Sequence, residues 1–576
     1  MLVTVAALWF TGLGARLYDL QIVRHGHYEE RARGQQRGEL VLTPPRGMIF
    51  DSRGRELAMS VDVLSAYVNP RELDDPERTA GRIAQAIGAD RNVLTERLAG
   101  SDRRFVWVGR QLDPERVQAL RDLEIEEVGF TTESKRFYPF GPLVAAVIGF
   151  VGVDPTGLAG VELSYDEAVA GEVVRRPVVR DGSRQGRQLY ESFGQPNPEP
   201  GADLHLTIDS SIQYVAEREL RSAIAEYGAI GGSLVMLDPS TGAVLAMASY
   251  PGFDPNEYRS APTEHKANIP LQHHYEPGST FKLITAAAAL ESGAVDPFDR
   301  FDCGNGSIVF RGKTIRDHKS FDDLSFSEVI AFSSNVGAIR LGEAVGEQRL
   351  HEMIRAFGFG SKTGIDLNGE AVGIVHPVED WNKRSVAYIS FGQGISVTPL
   401  QLVTAFGAIA NGGTLLRPYL VSSIDRDGAL EAIPGRPEVT GNPITPKTAR
   451  TLERMLEGVV EHERGTGKKA RIPGYRVAGK TGTAEKPGEN GGYADGRYVA
   501  SFVGFAPARN PAVVALVIVD EPTTARYHGG DAPAAVFSKV AQHALLRLGV
   551  PRDEPPLDAP RLVASGPSGQ SREVAP

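Results

Sequence analysis

The chain has 576 residues, more than one hydrophobic core usually serves, so roughly two or three domains are expected. Apolar residues make up 41% and mean hydropathy is −0.20, which excludes a polytopic membrane protein and a disordered chain. A net charge of −10 argues against a nucleic-acid partner, and a single cysteine, Cys303, excludes an intrachain disulfide.

In chain order, "MLVTVAALWFTGLGA" is an apolar run that meets Arg16 before it reaches the roughly 20 residues of a spanning helix. Extension to Val23 supplies the length and takes in Arg16 and Asp19. No basic residue precedes the run, while Arg16, Arg24, Arg31 and Arg33 follow it, so the positive-inside rule taken alone places the body in the cytoplasm. The reading adopted is a membrane anchor over residues 1–23 that begins inside a longer segment, with a basic leader missing. A cleaved signal peptide is the alternative, and no clear small-residue cleavage site follows the run.

Tyr18 to about Gly38 is polar and helix-compatible until Thr43-Pro-Pro-Arg-Gly47 breaks it. "MIFDSRGRELAMS" reads as strand, turn and strand. Residues 76–125 are charged and helical in pattern, and Pro114-Glu115 suits a helix start. Short strands and glycines run through "FYPFGPLVAAVIGFVGVDPTGLAGVE". "DGSRQGRQLY" and "GQPNPEPGADLHLTID" read as turns and a connector, with a boundary near 195–205. "GGSLVMLDPSTGAVLAMASY" is a hairpin of two apolar strands. A helix is expected from Ser279 to Ser292, ended by Gly293. "LSFSEVIAFSSNVGAIRLGEAV" is helical with a break at Ser333-Ser334-Asn335. "YRVAGKTGTAEK", "YVASFVGFA" and "PAVVALVIVD" are strands, which gives an α+β domain with an antiparallel sheet and helices packed on it. The proline-rich stretch 551–576 reads as a disordered tail.

Three short segments can carry chemistry. Ser279 and Lys282 are i, i+3 neighbours where a helix begins, so free N–H groups and the positive helix end favour negative charge at the hydroxyl. Serine is also an ordinary N-cap. Ser333-Ser334-Asn335 suits either a polar turn or a substrate contact. Lys-Thr-Gly occurs twice. Lys362-Thr363-Gly364 lies in a glycine-rich loop, whereas Lys480-Thr481-Gly482-Thr483 lies on a strand, where Gly482 removes a side chain so that a ligand backbone can come close. Strict alternation sends Lys480 to the face opposite Thr481 and Thr483, so spacing does not bring all three into one site.

Ser-x-x-Lys, Ser-x-Asn and Lys-Thr-Gly in this order form the motif set of penicillin-binding proteins and serine β-lactamases. With "RGMIFDSRGRELAMS", "ESKRFYPFG", "GVDPTGLAGVE", "FGQGISVTPLQL", "GTGKKARIPGYRVAGKTGTAEK" and "YHGGDAPAAVF", the chain resembles a class B penicillin-binding protein, in style a division-specific (septal) peptidoglycan D,D-transpeptidase. The resemblance implies a pedestal over residues 24–200 and a penicillin-binding transpeptidase domain over 201–550. It implies a single-pass protein of the inner membrane with a periplasmic catalytic domain. Substrates would be donor and acceptor stem pentapeptides, inhibitors β-lactams, and partners a membrane glycosyltransferase and division proteins. By the same resemblance Ser279 is the nucleophile, Lys282 the base and Ser333 a proton relay. Asn335 holds the substrate amide, Lys480, Thr481 and Thr483 meet its terminal carboxylate, and the N–H groups of Ser279 and Thr483 form the oxyanion hole. An elongation-specific sibling, a hydrolytic β-lactamase or D,D-carboxypeptidase, and a non-enzymatic penicillin sensor are the alternatives.

No cofactor is implied. His273-His274 lacks the further ligands of a metal site and reads as structural. Cys303 is expected as a surface loop thiol, and Glu133, Arg136 and Glu162 as fold-defining ion-pair residues.

Overall fold

A computed structural model describes residues 1–28, 37–42, 44–99, 103, 105–180, 188–189, 199–426, 428–488, 492–523 and 528–553. Most of the two connector stretches between 181 and 198, and all of the expected tail beyond residue 553, lie outside the described residues. The chain forms two compact units, Met1–Met48 with Ser60–Lys135 and Glu167–Asp203, and Ile49–Met59 with Arg136–Asp166 and Leu204–Pro576.

In the first unit the apolar start forms the helix Leu2–Tyr18, continued by a π-helical turn Asp19–Val23, with no buried residue on either. Among the described residues no helix is long and apolar enough to cross a membrane. The 76–125 stretch forms helices Pro76–Ile87, Arg91–Leu98 and Pro114–Arg121. Asp75 and Asp113 cap the first and third, each followed by proline at the first helical position, where no N–H is needed. The expectation of continuous helix fails at Val106–Leu112, which is a strand paired with Glu56–Val68. There the β-branched and aromatic residues of "VWVGRQL" override the charged surroundings, with Val108 and Leu112 buried against Ile83, Ile87 and Leu120. Glu133 lies 2.7 Å from Arg110 and also accepts a hydrogen bond from Ser65.

In the second unit Ile49–Phe50 pairs antiparallel with Ala58 and Glu56, the expected hairpin. Its turn is tied by Asp51, which accepts from the N–H of Arg53 and Arg55 and from the Ser210 hydroxyl at 2.6 Å. Arg136 and Glu162 form a buried pair at 2.6 Å, so all three residues expected in ion pairs are in one, Glu133 with Arg110.

The centre of this unit is a five-stranded antiparallel sheet of β1 (Gly231–Leu237), β2 (Val244–Tyr250), β3 (Ala478–Pro487), β4 (Tyr493–Ala506) and β5 (Val513–Asp520), in the order β2-β1-β5-β4-β3. β1 is buried along its whole length and β5 along nearly all of it, so these strands read as continuous apolar runs. Leu234, Met236, Ala515 and Val517 pack with Ile212 and Leu220 of helix Ser210–Tyr227 and with Phe537 and Val540 of helix Ala532–Arg547. Among the described residues β3 pairs with β4 alone and is an edge strand of the sheet.

Candidate active site

Ser279 stands on a 3₁₀ turn, Gly278–Phe281, and the α-helix starts only at Lys282 and runs to Glu291. The helix expected from Ser279 is therefore entered one turn late. The difference matters, because residues i and i+3 of a 3₁₀ turn eclipse, so the turn directs Ser279 toward the side on which Lys282 follows. Gly278 sets the turn with φ of +55° while its N–H donates to the Gly392 carbonyl at 3.0 Å. Ser279 is half-buried, whereas Lys282 is wholly buried.

The second segment joins helices Phe326–Ala331 and Asn335–Val345. Ser333 holds a left-handed backbone, φ +62°, unusual for a residue with a side chain. That bend presents both its polar atoms to Lys282, whose Nζ donates to Ser333 O at 2.6 Å, to Asn335 Oδ1 at 2.8 Å and to Ser333 Oγ at 3.2 Å. Ser334 caps the next helix through the Gly337 N–H and donates to Asp317 Oδ2 at 2.7 Å. Asp317 also accepts from the N–H groups of Asn335 and Val336, which fixes the start of that helix. Nothing in the motif pattern singles out Asp317, which lies 16 residues before Ser333 in a polar loop.

The third segment is the edge strand. Thr481, Gly482 and Thr483 line the same cleft as Ser279, Ser333 and Asn335, a cavity of about 790 Å3. Lys480 is fully buried, and its Nζ donates to Ser333 Oγ at 2.9 Å and to Thr481 O at 3.1 Å. The separation of Lys480 from its neighbours expected from strand alternation is overturned. Its stem is long enough to carry the amine to Ser333 even though the residue starts on the other face. Gly482 lines the cleft, as its expected role requires, and packing gives it a second reason to be bare. A Cβ there would stand 2.4 Å from Ser501 Oγ, 2.9 Å from the Thr280 methyl and 3.1 Å from Pro277 O, so its bareness lets β3 approach the Ser279 turn. Gly529 closes the other side: a Cβ on it would meet Gly482 O at 2.3 Å, and its N–H donates to Thr483 Oγ1 at 3.2 Å. The Thr481 hydroxyl donates to Thr466 Oγ1 at 2.9 Å, which completes the rim.

Two buried amines thus meet on one hydroxyl. Burial lowers Lys282 to about 7, against a weaker pull upward from Asp317. Burial, and then repulsion from Lys282, holds Lys480 well below the ordinary lysine value. Two protons on this pair would be desolvated and mutually repelling, so at neutral pH one amine is free to accept a proton.

The first Lys-Thr-Gly copy is elsewhere. Glu370 accepts from the Thr363 N–H and hydroxyl, each at 2.6 Å, and from Gly364 N–H at 3.2 Å, which makes this copy a capped loop. Cys303 is buried rather than a surface thiol; its Sγ lies 3.5 Å from Ser334 Oγ and burial pushes the thiol up. Its loop folds inward because Cys303 N–H donates to Asp322 O at 2.6 Å. His274 is held by Ser396 Oγ at 2.8 Å. Among the described residues no group of three His, Cys, Asp or Glu side chains could hold a metal ion.

Residues 232–542 match the penicillin binding protein transpeptidase domain and residues 41–206 the penicillin-binding protein dimerisation domain. The chain is 36% identical over 550 residues to stage V sporulation protein D of Bacillus subtilis, covering 94% of this chain and 84% of the relative. It is 34% identical over 521 residues to the peptidoglycan D,D-transpeptidase FtsI of Escherichia coli, covering 89% and 85%. The crystal structure of penicillin binding protein 3 from Mycobacterium tuberculosis, complexed with aztreonam, superposes with a TM-score of 0.70 at 29% identity, covering 90% of this chain and 99% of that one. With both domains matched in this order, and a cleft that unites the three motifs, the chain belongs to the class B penicillin-binding proteins of the division type.

Proposed function

We propose that Ser279 is the nucleophile of a peptidoglycan D,D-transpeptidase and that Lys282 is its base. The observation that carries this reading is the meeting of two buried amines on Ser333 Oγ under a cleft lined by Ser279. Ser279 Oγ attacks the penultimate D-Ala carbonyl of a donor stem pentapeptide and its proton passes to neutral Lys282 Nζ. The N–H groups of Ser279 and Thr483 receive the oxyanion, a feature typically worth roughly 10²–10³-fold in turnover per donor. The C–N bond breaks as Ser333 Oγ gives its proton to the departing D-Ala amine and takes the one held by Lys282, which leaves Lys282 neutral again and an ester on Ser279. The side-chain amine of an acceptor stem then attacks the ester and loses a proton to Lys282, and Ser279 leaves with that proton. Asn335 orients the peptide amide. Lys480, Thr481 and Thr483 bind the terminal carboxylate, with Gly482 keeping the strand close to the turn.

β-Lactams are inhibitors of the same step because their leaving group stays tethered to the acyl-enzyme. The septum is the site of action that the FtsI relative supports, with elongation as the competing site. Attachment to a membrane is supported by the exposed apolar side chains Leu2, Val3, Leu8, Trp9 and Phe10, and the inner membrane with a periplasmic catalytic domain is the placement that the family suggests. A membrane glycosyltransferase that supplies glycan strands, together with division proteins, are the proposed partners.

Fluorescent penicillin is expected to label the wild-type chain stoichiometrically and Ser279→Ala not at all. Labelling that persists in Ser279→Ala, or steady turnover of penicillin, contradicts this function. Depletion that rounds cells instead of producing filaments moves the site of action to the lateral wall.

A further inference from the structure

The edge strand carries a third side chain into the cleft. Thr481, Thr483 and Glu485 occupy alternate positions of β3 and all three line the cleft. Glu485 also lines a second cavity, of about 370 Å3, with Glu276, Ile374, Ile395, Ala484 and Val499 on its other walls. A hydrogen bond divides the two spaces. The Tyr493 hydroxyl, which borders the catalytic cleft, donates to Glu276 Oε2 at 3.1 Å. Glu276 Oε1 accepts from the Gly394 N–H at 2.9 Å, so the carboxylate is fixed at both oxygens. Partial burial raises the Glu276 carboxyl above its ordinary value, which an added cation would reverse.

The charges around this wall are unbalanced among the described residues. Lys486 is engaged by Asp520 at 3.0 Å and Glu521 at 2.7 Å, and Arg497 stands 3.8 Å from Glu521. Lys486 also lines this cavity, and among the described residues no ion pair joins Glu276 or Glu485 to a cation. His274 is hydrogen-bonded to Ser396, and His376 borders the same cavity. An aliphatic cavity behind an anionic rim fits an aliphatic chain that ends in an ammonium group.

A peptide laid on the β3 edge delivers such a chain there. In the antiparallel sense, with its terminal carboxylate at Thr481 and Thr483, the peptide runs toward Glu485. Strand rise is roughly 3.3 Å per residue, so Glu485 lies roughly 13 Å along the edge from Thr481. The residue that precedes the two terminal alanines reaches this point with its side chain. Resting on the transpeptidase function proposed above, we propose that Glu485, Glu276 and the cavity behind them form a specificity subsite for the side-chain ammonium of the donor stem's diamino acid. The subsite favours a side chain that ends in a cation alone and disfavours one that carries a free carboxylate beside it.

The test compares stem pentapeptides whose third residue is lysine or the uncharged norleucine. The readout is how far each slows acylation of the full chain by fluorescent penicillin. The lysine peptide is expected to protect at roughly tenfold lower concentration, as a charge-assisted contact implies. In Glu276→Gln/Glu485→Gln the ratio is expected to fall to within about twofold, and in Glu485→Lys to invert. If the double variant takes no label, Glu485→Gln alone, on the exposed rim, supplies the ratio. A wild-type chain protected equally by both peptides, or by neither, overturns the subsite, as does an unchanged ratio in Glu485→Gln. Failure of the transpeptidase function looks different: Ser279→Ala would take the label as the wild type does.

Discussion

The tripeptide Lys-Thr-Gly occurs twice in this chain with opposite fates. Lys362 is exposed in a loop whose backbone is satisfied by Glu370, while Lys480 is sealed in the domain with its amine on Ser333. Gly364 has a φ of +81°, so the loop needs glycine for its own backbone. Gly482 needs no special φ and is bare because Ser501, Thr280 and Pro277 crowd it. The same three residues serve a local turn in one place and a long-range assembly in the other. What separates them is the edge strand, which can bring a lysine, two hydroxyls and a naked backbone against a distant helix start.

The largest expected effect that sharpens this contrast is at the lysines. Lys480→Met should lower the rate of penicillin acylation by roughly 10²–10³-fold, the loss that follows removal of a preorganised catalytic donor. Lys362→Met should leave that rate within about twofold, and equal losses in stopped-flow acylation would erase the distinction. At the glycines, Gly482→Ala must push Ser501 or the Ser279 turn aside. Acylation should fall by roughly 10²-fold, as displacements near 1 Å do. Gly364→Ala should instead cost roughly 1–2 kcal/mol of stability through its positive φ, read as a lower Tm with acylation retained.

The buried amines set the pH dependence. Acylation should fall by roughly tenfold for each pH unit below about 7, as Lys282 gains a proton and ceases to be a base. Because its folded value lies below 10.5, the folded state binds fewer protons than the unfolded one between those limits, so stability should rise with pH from about 7 toward 10.5. Lys282→Met should flatten that rise, as followed by urea midpoints, and a slope that survives the substitution would assign it to other groups. The smallest effect is at Asp317. Asp317→Asn removes the upward pull on Lys282 and weakens the helix start at Asn335. The acid limb of acylation should move to lower pH and stability should drop by roughly 1 kcal/mol. A limb that moves upward would mean that Asp317 does not act on Lys282 electrostatically.

Much of the second unit could be read before folding, because its apolar strands and its glycine stop after the Ser279 helix are local signals. The strand Val106–Leu112 was hidden by charged flanks, and Cys303 looked like a loop residue because no local pattern reports that Asp322 and Ser334 draw it inward. Asp317, Thr466 and Gly529 were missed for the same reason. Each acts on a motif more than ten residues away; Thr466 and Gly529 stand in stretches that carry the family resemblance, "GTGKKARIPGYRVAGKTGTAEK" and "YHGGDAPAAVF", but nothing local in them shows which side chain or amide they hold.

The sequence by itself determined the order and identity of the three motifs, and with them the family, since side-chain chemistry and spacing are properties of the chain. Only the tertiary structure decided that Lys480 reaches Ser333, that Gly482 yields to the Ser279 turn, and that Glu485 and Glu276 share a wall. Those facts depend on which surfaces exclude water around one another, and burial, unlike spacing, exists only once the chain has packed.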